Sequence, residues 1–216
     1  MTAVEAWERF AKGRRPRRAR NAAGAATWLN WTQYPDHGPD ESILGEVRGR
    51  SVLELGFGSG DNLAHLATLG AHCVGVDLAP TRARVARTRW GHLPNLDFRT
   101  AEATQFLCST RETFHVVYSI LGAVWFTPPA TLLPLIHLRL APSGVLAFSH
   151  LPPAEAPPKH SPRVVERWDL SGEEWERELT DAGFTQTHSE VIPAPEKGKP
   201  GTLFVRAVSP AALRRL

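Results

Sequence analysis

Val52-Leu53-Glu54-Leu55-Gly56-Phe57-Gly58-Ser59-Gly60-Asp61-Asn62 is the stretch that decides the fold. A short apolar run reads as a buried strand, three glycines follow at alternate positions, and a helix comes next. Glycine at such sites permits φ > 0 and lets the backbone approach a ligand closely. The start of the following helix adds unpaired N–H donors at the same place. A dinucleotide turn of the G-x-G-x-x-G type would put its third glycine at position 61, where this chain has Asp61. A carboxylate there repels a pyrophosphate but suits a ligand carrying a positive sulfonium and an amino group. Glu54, just upstream, adds negative charge to the same edge. An NAD-dependent oxidoreductase therefore ranks last among the functions considered.

Outward from this turn, residues 50–149 alternate strand and helix. Strands are expected at Ser51–Leu55, His72–Asp77, Asn95–Thr100, Phe114–Ser119 and Gly144–Ser149, and helices at about Asp61–Leu69, Thr81–Trp90 and Pro129–Leu140. Gly70 is positioned to end the first helix, and Pro80 to begin the second. That rhythm predicts a parallel sheet with helices on both faces. Beyond residue 150 a proline-rich loop (Pro152, Pro153, Pro157, Pro158, Pro162) leads to Ser171-Gly172-Glu173-Glu174, a capping-box pattern that starts a further helix ended by Gly183. Strands Phe184–Ile192 and Thr202–Val208, joined by a short turn-rich connection, are expected to pair as an antiparallel hairpin. The fold class expected is α/β: a doubly wound, mostly parallel, seven-stranded sheet with a C-terminal antiparallel hairpin. Residues 1–49 show no strand alternation and read as an N-terminal arm and helical or loop cap over the substrate, with 50–216 forming the main domain.

The second chemical element is Asp77, which ends Cys73-Val74-Gly75-Val76-Asp77, 21 residues after Gly56. A carboxylate at the carboxyl end of the neighbouring strand can accept both hydroxyls of a ribose. With these residues in place the chain, over roughly 50–208, resembles the class I S-adenosylmethionine (SAM)-dependent methyltransferases. Glu54–Gly60 resembles that family's first motif, and Val76-Asp77-Leu78 its ribose-binding acid. Ala101-Glu102-Ala103 stands where the family contacts adenine, with Glu in place of the commoner Asp. Phe114–Ser119 resembles the fourth strand, although His115 departs from the usual Asp, and Leu140–Leu146 resembles the turn into the fifth. The resemblance implies SAM as cofactor and S-adenosylhomocysteine (SAH) as product, held by Glu54, Gly56, Phe57, Gly58, Gly60, Asp77, Leu78, Glu102, Ala103 and Ser119. Tyr118–Phe126 lacks the Asn/Asp-Pro-Pro-aromatic signature of base- and glutamine-methylating relatives, so a small-molecule acceptor is expected, with an oxygen, nitrogen or carbon nucleophile and an aromatic secondary metabolite as one option.

Methyl transfer from a sulfonium mainly needs alignment, and a base helps only if the acceptor must lose a proton. The candidates are His37, in the Pro35-Asp36-His37-Gly38-Pro39 turn, and His150, past the fifth strand at the ligand-binding edge of the sheet, with Tyr34 a third. Surface or hydrogen-bonded histidines without catalytic duty are the alternative. Trp31, Tyr34 and Trp125 are the candidates for the acceptor wall; core packing is the alternative, preferred for Trp28 and Trp168. The other histidines lack ligand spacing, and no metal is assigned.

Composition adds bounds. With 216 residues, 42% hydrophobic and 22% charged, the chain has enough apolar material for one globular core. No run approaches the roughly 18 apolar residues of a membrane span, and the mixed opening Met1–Arg9 has no signal-peptide core. A cytoplasmic, membrane-free protein is expected, with Cys73 and Cys108 as buried free thiols. Net charge is only +3. Much of the excess lies in Arg14, Arg15, Arg17, Arg18 and Arg20, a flexible solvated arm or a phosphate contact, with nucleic-acid binding disfavoured. Two alternatives stay open: a SAM-binding enzyme that uses the cofactor for cyclisation, rearrangement or decarboxylation, and a nucleic-acid-associated SAM-binding protein. Oligomeric state is not readable.

Overall fold

The computed structural model describes residues 2–13, 17–153 and 165–212. Arg14, Arg15 and the prolines at 157, 158 and 162 lie outside the described residues. The chain runs α1 (Ala3–Gly13), β1 (Ser51–Leu55), α2 (Asp61–Thr68), β2 (His72–Asp77), α3 (Pro80–Trp90), β3 (Leu96–Thr100), α4 (Ala103–Ser109), β4 (Phe114–Ile120), α5 (Pro129–Arg139), β5 (Leu140–His150), α6 (Gly172–Asp181), β6 (Thr185–Ile192) and β7 (Thr202–Val208), with short 3-10 turns at Glu41–Leu44 and Ala123–Phe126. The sheet has seven strands in the order β3-β2-β1-β4-β5-β7-β6. β1 pairs in parallel with β2 and β4, while β7 pairs antiparallel with β5 and β6. This is the doubly wound sheet with a closing hairpin that the alternation predicted.

Side chains alternate across each strand, so one strand feeds two cores. Leu53 and Leu55 point to the face covered by α4, α5 and α6, where they join Val117, Phe148, Ile136 and Trp175. Val52 points to the other face with Leu63, Ala83, Phe98 and Tyr118. Leu29, Trp31, Leu44 and Val47 pack into that second core, so residues 28–47 help to build the domain while α1 stands apart from them. The capping box forms as read: the Ser171 side chain accepts from the Glu174 N–H, and the Ser171 N–H donates to the Glu174 carboxylate.

Three features depart from the sequence reading. The pattern gave no helix between β3 and β4, yet α4 forms there, seven residues long and started by the Glu102 carboxylate accepting from the Gln105 N–H. A helix of two turns carries too few periods to show in an apolar pattern. β5 begins at Leu140, four residues earlier than Gly144, with a register shift against β4 between Phe114 and Val116. Cys108 is exposed on α4, and only Cys73 is buried.

Candidate active site

The order β3-β2-β1-β4 reverses direction between β1 and β4, and the carboxyl ends of strands at such a reversal open a crevice. A cavity of about 450 Å³ sits there. The glycine turn and the end of β2 form one side of it. Gly56 has φ +84°, and a Cβ added to it would stand 2.7 Å from the Ala123 nitrogen, so only glycine fits. Gly58, at φ +57°, has nothing within 4 Å of its missing Cβ; the space beside it is free for a ligand. Gly60 does not line the cavity. It starts α2 at φ +75° and packs against Phe98.

Asp77 ties the two loops together. The Gly58 N–H donates to its Oδ2 at 2.9 Å and the Ala79 N–H to its Oδ1 at 2.9 Å. Burial pushes this carboxyl up from its ordinary range, and the two N–H bonds oppose that. Each carboxylate oxygen keeps acceptor capacity toward the cavity. Glu54 lines the same cavity and is buried, with its Oε2 accepting from the Tyr118 hydroxyl at 2.9 Å. Burial drives its carboxyl well above the usual range, outweighing the Tyr118 hydrogen bond, and Asp77 adds to the rise. Glu102 and Ala103 line the far end. Burial raises the Glu102 carboxyl, but hydrogen bonds from Thr104 and from the first N–H groups of α4 hold it below its ordinary value.

Arg17 and Arg82 bring positive charge to the cavity wall. Arg17 Nη1 donates to Asn62 Oδ1 at 3.0 Å, its guanidinium lies 4.0 Å from the Trp28 ring centroid, and its Nη2 is buried without a hydrogen-bond partner. Burial lowers its pKa, partly offset by Asp61, Glu54 and Asp36. An orphaned guanidinium nitrogen on a cavity wall is a place for an anion to bind. The donor set therefore fits SAM: an acid for a ribose, open space beside Gly58, a buried carboxyl facing cationic groups, and an arginine for a carboxylate. Arg18 pairs with Asp36 at 3.3 Å and Arg20 donates to the Gly24 carbonyl, so these cluster members are engaged within the chain.

The remaining expected site residues are placed elsewhere. Phe57 and Leu78 line the cavity, whereas Ser119 is buried behind it, donating to the Leu55 carbonyl at 2.7 Å. His150 is fully buried and held at both nitrogens: Nδ1–H donates to the Leu151 carbonyl at 2.7 Å, and Nε2 accepts from the Trp175 indole at 2.7 Å. Burial pulls it down to about 4. It has no free lone pair for a substrate proton. His37 bonds Thr32 Oγ1 through Nδ1 at 3.1 Å, and Tyr34 donates to the Pro200 carbonyl at 2.7 Å; neither lines the cavity. Trp31 is a core residue, edge-on to Phe204 and Tyr118. Trp125 stacks on His150 and donates to Asp169 Oδ1 at 2.8 Å, one residue away from the wall that Phe126 forms. The aromatic positions the sequence missed are Trp7 and Phe10 of α1, joined by Phe126; their spacing resembles any core-facing helical stripe, so nothing in the pattern singled them out. Arg17 was visible only as one member of a basic cluster.

Residues 52–144 match the family model described as a methyltransferase domain. Over 169 residues the chain is 32% identical to an erythromycin 3''-O-methyltransferase of Saccharopolyspora erythraea, covering 68% of this chain and 55% of that protein. It is 34% identical over 113 residues to a trans-aconitate 2-methyltransferase of Methylobacterium radiotolerans, covering 51% of this chain and 41% of the other. The chain thus spans about half the length of these relatives. A SAM-dependent methyltransferase of Mesorhizobium loti superposes with a TM-score of 0.66 at 22% identity, over 78% of this chain and 94% of the other, and shares the fold. No helix among the described residues is long and apolar enough to cross a membrane.

Proposed function

We propose, from the premise that residues 52–144 belong to the methyltransferase-domain family on the class I SAM-dependent fold, that this protein transfers a methyl group from SAM to a small-molecule acceptor. The observation that carries the proposal is the Asp77 carboxylate, which accepts from the Gly58 N–H on the wall of the cavity. One hydrogen bond fixes the glycine turn relative to the ribose acid. The curated relatives support the small-molecule class, since their names give erythromycin and trans-aconitate as what they methylate.

In this proposal Asp77 accepts the ribose hydroxyls, Glu102 and Ala103 flank the adenine, and Arg17 pairs with the carboxylate of the methionine part. Glu54 faces the cationic groups, where a positive partner favours its ionised form. SAM bound there supplies an electrophilic methyl carried on a sulfonium sulfur. The chain's own contribution is to orient the acceptor and exclude water, which supplies much of the acceleration when the reacting atoms are aligned. We assign no base duty to His150, whose nitrogens are both committed, or to His37, which stands off the cavity.

Thermal unfolding with and without SAH tests this. Ligand at about 100 times its dissociation constant stabilises the fold by about 2.7 kcal/mol, a rise of roughly 5–10 °C for a chain of this size. Asp77→Ala is expected to abolish the rise. No rise in the wild-type protein at millimolar SAH would overturn the proposal.

A further inference from the structure

α1 buries only Ala11, yet three of its residues, Ala3, Trp7 and Phe10, line the cavity. Their spacing sets them on one helical face. Trp7 meets Phe126 edge-on at 4.7 Å between centroids, and Phe10 meets Trp7 edge-on at 5.4 Å. Phe10 is 47% exposed. Three aromatic rings, two from α1 and one from the turn after β4, thus stand together in the same cavity as Gly58 and Asp77.

A helix with so little buried apolar surface needs another tether. Glu8 provides it. α3 begins without a side-chain cap of its own at Ala79, and the orphan donor at its start is met from α1: the Thr81 N–H donates to Glu8 Oε1 at 2.8 Å and the Thr81 hydroxyl to Oε2 at 2.5 Å. A carboxylate also suits the positive end of a helix. Because Thr81 follows Asp77 by four residues, this contact ties the aromatic wall to the strand end that carries the ribose acid.

We infer that Trp7 and Phe10 determine which acceptor binds, that the acceptor presents a flat apolar ring to them, and that Glu8 is the residue that positions them. Edge and face contacts of three rings favour a planar partner. The inference rests on the methyltransferase reading of the cavity and adds the class of molecule it accepts.

The experiment uses the full chain loaded with SAH, and 2-naphthol as the probe, followed by titration calorimetry. The wild-type complex is expected to bind 2-naphthol. Trp7→Ala and Phe10→Ala are each expected to weaken it about tenfold, with SAH affinity changed by less than about threefold. Glu8→Ala is expected to weaken 2-naphthol similarly and to speed amide exchange across residues 3–13. Glu8→Gln, whose amide oxygen still accepts from the Thr81 N–H, is expected to recover much of both, and Thr81→Val, which keeps that N–H bond and loses only the hydroxyl bond, to fall between wild type and Glu8→Ala. If SAH binds but 2-naphthol does not, or binds equally to wild type, Trp7→Ala and Phe10→Ala, the inference is overturned and the cofactor reading stands. If SAH does not bind the wild-type protein, both fall.

Discussion

The two sides of the cavity are built in opposite ways. The side proposed to hold the cofactor is made of strand ends and the turns directly after them: β1 pairs with β2 so that Leu55 lies across from Val76, which sets Gly56 and Asp77 side by side. The aromatic side is assembled from α1 and the 3-10 turn after β4, more than a hundred residues away, and is held by a few polar contacts. A site fixed by backbone pairing tolerates little change, whereas a site hung on side chains can change its ligand without unfolding the sheet.

The largest effects are expected where backbone geometry is involved, and two neighbouring glycines separate structure from ligand. Gly56→Ala places a Cβ 2.7 Å from the Ala123 nitrogen at a φ of +84°; left-handed strain and overpacking together predict a loss of about 3 kcal/mol or more, seen as a lowered urea midpoint. Gly58→Ala meets nothing within 4 Å, so its expected cost is only the strain of about 1–2 kcal/mol, while its methyl enters the ligand space and weakens SAH by tenfold or more on the scale of a lost close contact. Equal stability losses with unchanged SAH affinity would erase the distinction between the two positions.

Acid should act on the aromatic side. His150 lies beneath Trp125, the neighbour of Phe126, and its pKa is lowered from 6.5 to about 4, mainly by burial. The folded chain holds this proton less tightly than the unfolded chain. The contribution is therefore complete above about pH 6.5 and is lost as the pH falls toward 4, by roughly 3 kcal/mol. Urea unfolding at a series of pH values should show that slope, and His150→Gln should flatten it. A slope unchanged by the substitution would assign the acid sensitivity to the carboxylates.

The comparison also explains what could be read in advance. That Gly56, Gly58 and Asp77 share one cavity wall was legible because sequence spacing and strand pairing carry them together. His150 was placed correctly at the carboxyl edge, but alternation along β5 sends its ring to the same face as Phe148, under Trp175, and away from the cavity. Position was readable and direction was not. Trp31 misled for the same reason: an aromatic beside a turn looks alike whether it faces ligand or, as here, Phe204 and Tyr118. Trp7, Phe10 and Arg17 join the site only through tertiary contacts, which no local pattern records.

Arg17 bridges the two sides, reaching from the N-terminal segment to Asn62 in the first turn of α2. Charge-assisted hydrogen bonds contribute about 1.5–3 kcal/mol, so Arg17→Gln is expected to weaken SAH by roughly tenfold or more and, because the Asn62 bond and the contact over the Trp28 ring go with it, to lower the melting temperature without ligand as well. Arg17→Lys should not restore affinity, because an ammonium lacks the planar fork that meets a carboxylate with two parallel bonds. Full rescue by lysine would mean that charge alone, and not geometry, is what the site uses.

The smallest effect is expected at His37. Its Nδ1 pairs with Thr32 Oγ1, its N–H donates to Asn30 Oδ1 at 3.4 Å, and its ring stands edge-on to Tyr34. These contacts organise the turn that lays residues 28–47 against the second core, on neither side of the cavity. Removing the ring costs a hydrogen bond of about 1 kcal/mol, visible as a small drop in melting temperature. Methyl transfer by His37→Ala, followed as SAH formation with whichever acceptor the wild-type protein turns over, should stay within about twofold, well short of the 10²–10⁴-fold loss that removing a general base produces. A loss of that size with SAH affinity intact would bring this turn into the reaction and give the acceptor side a third component beyond α1 and Phe126.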